Sequence, residues 1–175
     1  MKLTNEHNIP LPLQVWLVND SYDYINDPNY VSATQLLKPI RSLVLGERLT
    51  EDDTVTVDLS DLAARALGNS FHDSVEKAWS PERYKENLRK LGYSEEIVNS
   101  VVVNPPDGEP IPDGISPVYI EQRGFIELDG FRIGGKFDMV ADGIVHDLKS
   151  TSTYAWTHNV NDDAYKLQGS LYRLI

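Results

Sequence analysis

The chain has 175 residues, a formal net charge of −11, and 41% hydrophobic and 25% charged residues. That length suits one domain with its own core. With no cysteine, disulfide frameworks, iron–sulfur clusters, thiolate zinc sites and cysteine nucleophiles are excluded, and any metal must sit on oxygen and imidazole, ligands that favour magnesium or manganese.

The acidic balance runs against the basic surface expected of a nucleic-acid binder, although a metal site needs carboxylates of its own. No apolar run approaches the roughly 20 residues of a membrane span, and MKLTNEHNIPLP has no signal-peptide core. A cytoplasmic protein with no membrane partner is expected.

Residues 1–31 mix Pro, Asn, Asp and aromatics and read as an N-terminal arm. Ser32 opens a helical pattern to about Arg48, with Pro39 placed to split it. Residues 50–58 are acidic and β-branched, a loop or short strand. Residues 59–79 read as a helix, with Leu62, Ala66, Leu67, Phe71, Val75 and Ala78 as its apolar stripe. A second helix starts at Ser80-Pro81 and stops at Gly92, and a short third starts at Ser94. Residues 104–117, rich in proline, form a loop. Trp16, Trp79 and Trp156 are expected as core or arm anchors.

From Pro117 the period changes to two. VYIEQRGFIEL, FRIGGKFDMVA and IVHDLKS are three strands, separated by Asp129-Gly130 and Asp142-Gly143. Asp-Gly between alternating runs marks a hairpin turn. A last helix runs from about Asn161 to the end. It stops without a cap or breaker in LQGSLYRLI, so the fold is expected to continue past Ile175. The fold class is mixed α/β, an antiparallel three-stranded meander flanked by helices.

Two-residue loops at both turns fix a register. Asp138 falls opposite Asp147, Lys136 opposite Lys149, and Glu121 opposite Asp138. Opposed residues have Cβ atoms about 4.5–5.5 Å apart. Carboxylates so placed repel, and a divalent cation is the natural compensation. A bulge at Gly134-Gly135 would move Glu121 out of the row. Lys149 shares the face of Asp147 and sits where it can orient a water or stabilise a phosphate. Lys136 and Arg123 either supply local positive charge for a phosphate strand or are only exposed strand residues. The plainer reading makes Asp138 and Asp147 solvated strand residues beside a turn, and His72 a structural histidine. His7, His146 and His158 show no partner pattern.

Asp138 followed by Asp147-Leu148-Lys149 resembles the core of the PD-(D/E)XK nuclease superfamily. The string GGKFDMVADGIVHDLKSTST is similar to its RecB-like branch. Gly68-Asn69-Ser70-Phe71-His72 is similar to that branch's G-x-x-x-H helix, and Gln168-Gly-Ser-Leu-Tyr172 to its Q-x-x-x-Y motif. Ser32-Ala33-Thr34 resembles the segment near the start of such domains. The likeness covers roughly residues 30–175, with its motifs in order.

The resemblance implies a restriction-endonuclease-like core over 32–175. His72, Asp138, Asp147 and the Leu148 carbonyl would hold Mg²⁺ or Mn²⁺, with Glu121 joining through the register. Lys149 would be the catalytic lysine, and Gln168 and Tyr172 would steady the substrate strand or the site. It implies DNA, single- or double-stranded, as substrate. The activity would be exonucleolytic, of a phage type lacking an iron–sulfur cluster, working beside a recombination or replication protein. Two other readings stay open: a catalytically silent or partner-dependent module on the same fold, and a metal-stabilised protein with no nucleic-acid substrate.

Overall fold

Two Asp-Gly turns organise the molecule. In the computed structural model, which describes residues 2–20, 22–48 and 55–175, Asp129 and Gly130 have φ of 50° and 81°. Asp142 and Gly143 have 52° and 71°. Positive φ at both central residues matches the twist of the flanking strands, which is why Asp-Gly closes such hairpins. The strands they join form an antiparallel meander.

Several strands and helices precede that meander among the described residues. They are β1 (Lys2–Thr4), α1 (Leu11–Val18), β2 (Tyr30–Ser32), α2 (Ala33–Leu36), α3 (Ile40–Glu47), β3 (Thr56–Asp58), α4 (Ala63–Ala78), α5 (Tyr84–Lys90) and α6 (Glu95–Ser100). Then come β4 (Val101–Val103), β5 (Ser116–Leu128), β6 (Phe131–Ala141), β7 (Ile144–His146), α7 (Thr153–Thr157) and α8 (Asp162–Tyr172). The sheet is mixed and open, ordered β2-β6-β5-β4, with β7 also on β6. Both outer strands, β2 and β4, run parallel to their neighbours.

The predicted register holds from Leu128↔Phe131 to Val118↔Ala141, with no bulge at Gly134-Gly135. Only the Glu121–Asp138 pair drops out of the ladder, because Glu121 takes a φ of 53°. β2 and β7 share the far edge of β6 end to end. β2 pairs with Arg132–Gly134 and β7 with Met139–Ala141, so neither pairs with the stretch between, where Asp138 lies.

Local chemistry explains the flanking elements. Ser32 caps α2 in a reciprocal box with Gln35, and Pro39 splits α2 from α3 as expected. Ser94 caps α6. The second predicted helix starts later than Ser80-Pro81, at Tyr84. Residues 80–83 form a turn first, with the N–H groups of Arg83 and Tyr84 both donating to the Ser80 carbonyl.

The expected N-terminal arm carries regular structure. β1 pairs with β3 in parallel, and α1 packs Leu17 against Leu59 and Ala66. A second core gathers Val101, Val118 and Ile120 under Trp79, Tyr84 and Leu88. The expected loop or strand over 50–58 proves to be β3 at its end; residues 50–54 lie outside the described residues. No helix among the described residues is long and apolar enough to cross a membrane.

Asp58 ties the N-terminal strand down. One carboxylate oxygen accepts from Thr4 Oγ1 at 3.0 Å and the Glu6 N–H at 2.8 Å. The other accepts from the Ser60 N–H at 3.0 Å and Ser60 Oγ at 2.7 Å. These donors, the Glu6 amide first, hold its carboxyl well below the usual 3.8. A depressed pKa contributes stability that is present above the usual value and lost as pH falls below it. Melting curves from neutral pH down to about 3 should therefore show Asp58→Asn starting lower than wild type and losing less on acidification.

Candidate metal centre

Three elements deliver the candidate site. His72 comes from α4, Glu121 from the kink in β5 and Asp138 from the unpaired middle of β6. His72 Nδ1 lies 3.2 Å from Asp138 Oδ1 and 3.6 Å from Glu121 Oε1. One ligand atom from each of the three lies within 4.8 Å of the others. All three side chains are partly buried, which strengthens their mutual electrostatics. Lys136 Nζ, 2.6 Å from Glu121 Oε2, offsets one of the two negative charges. Lys136 stands diagonal to Glu121 in the register, a contact the hairpin geometry already contained.

Asp138 is held from the side where a strand was expected. The Leu148 N–H donates to Asp138 Oδ2 at 2.5 Å. Burial pushes the Asp138 carboxyl above its ordinary value, and the nearby Asp147 adds to this. The Leu148 amide, His72 and Lys149 pull the other way.

That amide contact also corrects the third strand. IVHDLKS was expected to pair throughout, with Asp138 opposite Asp147 and Lys136 opposite Lys149. Pairing stops one step short, at Met139↔His146, and the Leu148 amide turns to the carboxylate instead of the ladder. The chain then passes over α4, with Ser150 Oγ 3.5 Å from where a Cβ on Gly68 would stand. Ser152 next caps α7, a helix the sequence reading lacked.

Asp147 consequently stands outside the His72–Glu121–Asp138 group. It is ion-paired with Lys149 at 2.9 Å. Leu148, expected to offer its carbonyl, offers its N–H to Asp138. Gln168 and Tyr172 are both buried on α8, and Gln168 Nε2 donates to the Tyr172 hydroxyl at 2.9 Å. The Tyr172 ring lies against Gly135. Burial pushes its hydroxyl pKa up, and the charges of Asp147 and Asp138 add to the shift. This pair therefore braces the sheet behind the site.

Two sequence expectations fail here. Leu67 and Phe71 were read as part of the buried stripe of α4, but both are exposed and Ala78 is exposed too. The partly covered row is instead Gly68, His72, Val75 and Trp79, spaced as one helix face. A glycine and a histidine occupy positions that an apolarity count assigns to leucine and phenylalanine. Trp156, expected as an anchor, is 77% exposed, because α7 has only five residues and buries none. Trp16 and Trp79 do pack against the two cores.

The donor set is two carboxylates and one imidazole with no sulfur, which suits an oxygen-seeking divalent cation such as Mg²⁺ or Mn²⁺. Two partly buried carboxylates, with one lysine paired to Glu121, leave negative charge for such an ion to neutralise. No protein-family model matches the sequence, and neither curated proteins nor solved structures give a match.

Proposed function

We propose that the chain is a metal-dependent nuclease of the PD-(D/E)XK type that hydrolyses DNA phosphodiesters, more as an exonuclease than as a sequence-specific endonuclease. The observation that carries this reading is the convergence of His72, Glu121 and Asp138 from separate elements, with Lys149 close enough to Asp138 to influence its charge. His72, Asp138 and Lys149 belong to the ordered motifs that prompted the resemblance, and Glu121 joins them through the hairpin register.

His72, Glu121 and Asp138 would hold the cation, which when bound supplies Lewis acidity towards the scissile phosphate. Asp138, gripped by the Leu148 amide, keeps one orientation. Lys136 restrains Glu121. Lys149, a third exposed and tethered to Asp147, presents an ammonium to negative charge developing on the phosphate and to the attacking water. In the step itself a water oxygen bonds to phosphorus, the bond to the leaving oxygen breaks, and the water's proton is lost as the leaving oxygen gains one.

The Lys149–Asp147 ion pair favours a second reading, in which Asp147 joins the cluster only when substrate or a partner protein draws Lys149 away. A recombination or replication protein would be such a partner.

The test is digestion of end-labelled linear and circular DNA with Mg²⁺, Mn²⁺ or EDTA. Wild type should degrade the linear form only when metal is present and spare the circle. Lys149→Ala should lose about 10²–10⁴-fold in rate yet retain Mn²⁺ binding by calorimetry. Undiminished digestion by Lys149→Ala would remove the lysine from the chemistry.

A further inference from the structure

The two faces of the β5–β6 hairpin differ sharply. On one, a Cβ at Gly135 would meet Tyr172 and Ala33, and one at Gly124 would meet Ile175; α8 and α2 cover it. On the other, the nearest atoms to a Cβ at Gly134 would be the ring of Phe125 and a backbone oxygen of its own hairpin, and the Tyr30 ring stands 6.3 Å from that of Phe125. Alternation places Arg132, Gly134, Lys136 and Asp138 on this second face. A strip about 20 Å long therefore leads from Asp138 to Arg132.

The strip carries cations and aromatics in sequence. Lys136 contacts Glu121 of the cluster. Its cross-strand partner is Arg123, whose guanidinium lies 5.6 Å from the centre of the Tyr22 ring. Phe125 follows, roofed by Arg132 at 3.9 Å. Tyr22 and Tyr24 pack edge to face at 4.7 Å and remain 48% and 69% exposed. They are nonetheless held in place. Asp20 accepts from the Tyr22 N–H and the Tyr24 hydroxyl, and Arg123 donates to the Asp23 carbonyl and carboxylate. Fixed, exposed aromatics beside a file of cations are the parts of a single-strand nucleic-acid site, where bases stack and phosphates pair.

We infer that one single strand lies along this face, with its phosphates on Lys136 and Arg132, its bases on Tyr22 and Tyr24, and its end at the cluster. The inference rests on the nuclease reading and names the substrate of that site. The cations all lie within the width of one hairpin, so they serve one backbone. A duplex presents two backbones across grooves of about 6 and 12 Å, and a chain of net charge −11 offers it little further attraction. The strip's length accommodates the roughly 4 nucleotides that the smallest single-strand sites hold.

Fluorescence anisotropy on the full chain carrying Lys149→Ala, with Mg²⁺, tests this directly. The probes are fluorescein-labelled oligo-dT of about 16 nucleotides and a duplex of equal length. The single strand should bind at least about tenfold tighter than the duplex. Tyr24→Ala should weaken it about tenfold, within the range for one stacked base. Arg132→Gln should weaken it and lower the salt slope by about 0.7, the value for one phosphate contact on a single strand. Glu127→Lys, opposite Arg132 and exposed, should tighten binding and steepen the slope by a similar amount. That gain of function cannot arise from misfolding. Equal or tighter duplex binding overturns the inference, as does binding unchanged in all three variants while wild type still cleaves DNA. A wild type that neither cleaves DNA nor binds Mn²⁺ overturns the nuclease reading and the strip with it.

Discussion

Asp138→Asn is expected to cripple cleavage while raising the melting temperature of the metal-free protein. Burial is the leading cause of the raised pKa of Asp138, so the folded state disfavours its ionised form. For a carboxyl whose native pKa exceeds its unfolded one, the penalty begins as pH rises through the usual value of 3.8 and persists at neutral pH. Asparagine keeps an oxygen for the Leu148 amide and removes the charge. Its thermal advantage should therefore shrink as the buffer is taken below that value. Metal should reverse the order. Wild type with Mn²⁺ at about 100 times its Kd should gain about 2.7 kcal/mol, a rise of about 5–10 °C for a domain of this size. Asp138→Asn should gain nothing. Losing this ligand should cost about a thousandfold in rate, equivalent to roughly 4 kcal/mol. A variant that is less stable without metal and equally stabilised by Mn²⁺ would make Asp138 a structural residue.

Gly135→Ala should be among the most damaging single-methyl changes in the protein. The added carbon would lie 2.6 Å from one carbon of the Tyr172 ring and 3.3 Å from the Ala33 side chain. Neither yields easily. Tyr172 is buried and its hydroxyl accepts from Gln168, while Ala33 sits in the capped first turn of α2. Overpacking of this kind costs about 1–3 kcal/mol, a fall of about 2–12 °C in Tm. Gly169→Ala in α8 is the control, since nothing lies within 4 Å of its added carbon. There the helix gains propensity, up to about 1 kcal/mol. Equal melting temperatures for Gly135→Ala and wild type would mean that α8 is not seated on β6 as described.

The hairpins were legible because their signals are local. Asp-Gly at both turns set the loop lengths, the loop lengths set the register, and the register brought Glu121 to Asp138. Ser32, Pro39 and Ser94 marked helix boundaries by their own hydrogen bonding or lack of it. What stayed hidden depends on distant partners. Tyr30–Ser32 and Val101–Val103 are too short to announce themselves, and each becomes a strand only because β6 or β5 offers a free edge. β7 ends early because a carboxylate ten residues back takes its next amide. His72 and Asp138 were reached through motif order and Glu121 through register, while Asp147, expected with them, pairs with Lys149 instead; Tyr22 and Tyr24 carried no motif, and only the fold lays them beside Arg123.

The kink at Glu121 has a consequence for how copies of the chain behave in concentrated solution. On its outer edge β5 is paired by β4 as far as Val118, and the Asn104 side chain extends this to Ile120. Beyond that point, among the described residues, no strand lies alongside to Leu128. A long straight edge with unused amides invites pairing with a neighbouring molecule. The left-handed backbone at Glu121 bends the edge where it opens, and Glu121, Arg123 and Glu127 set alternating charges along it. The residue whose carboxylate joins the candidate metal centre thus also sets the backbone where this edge opens, and variants that straighten it should lose solubility.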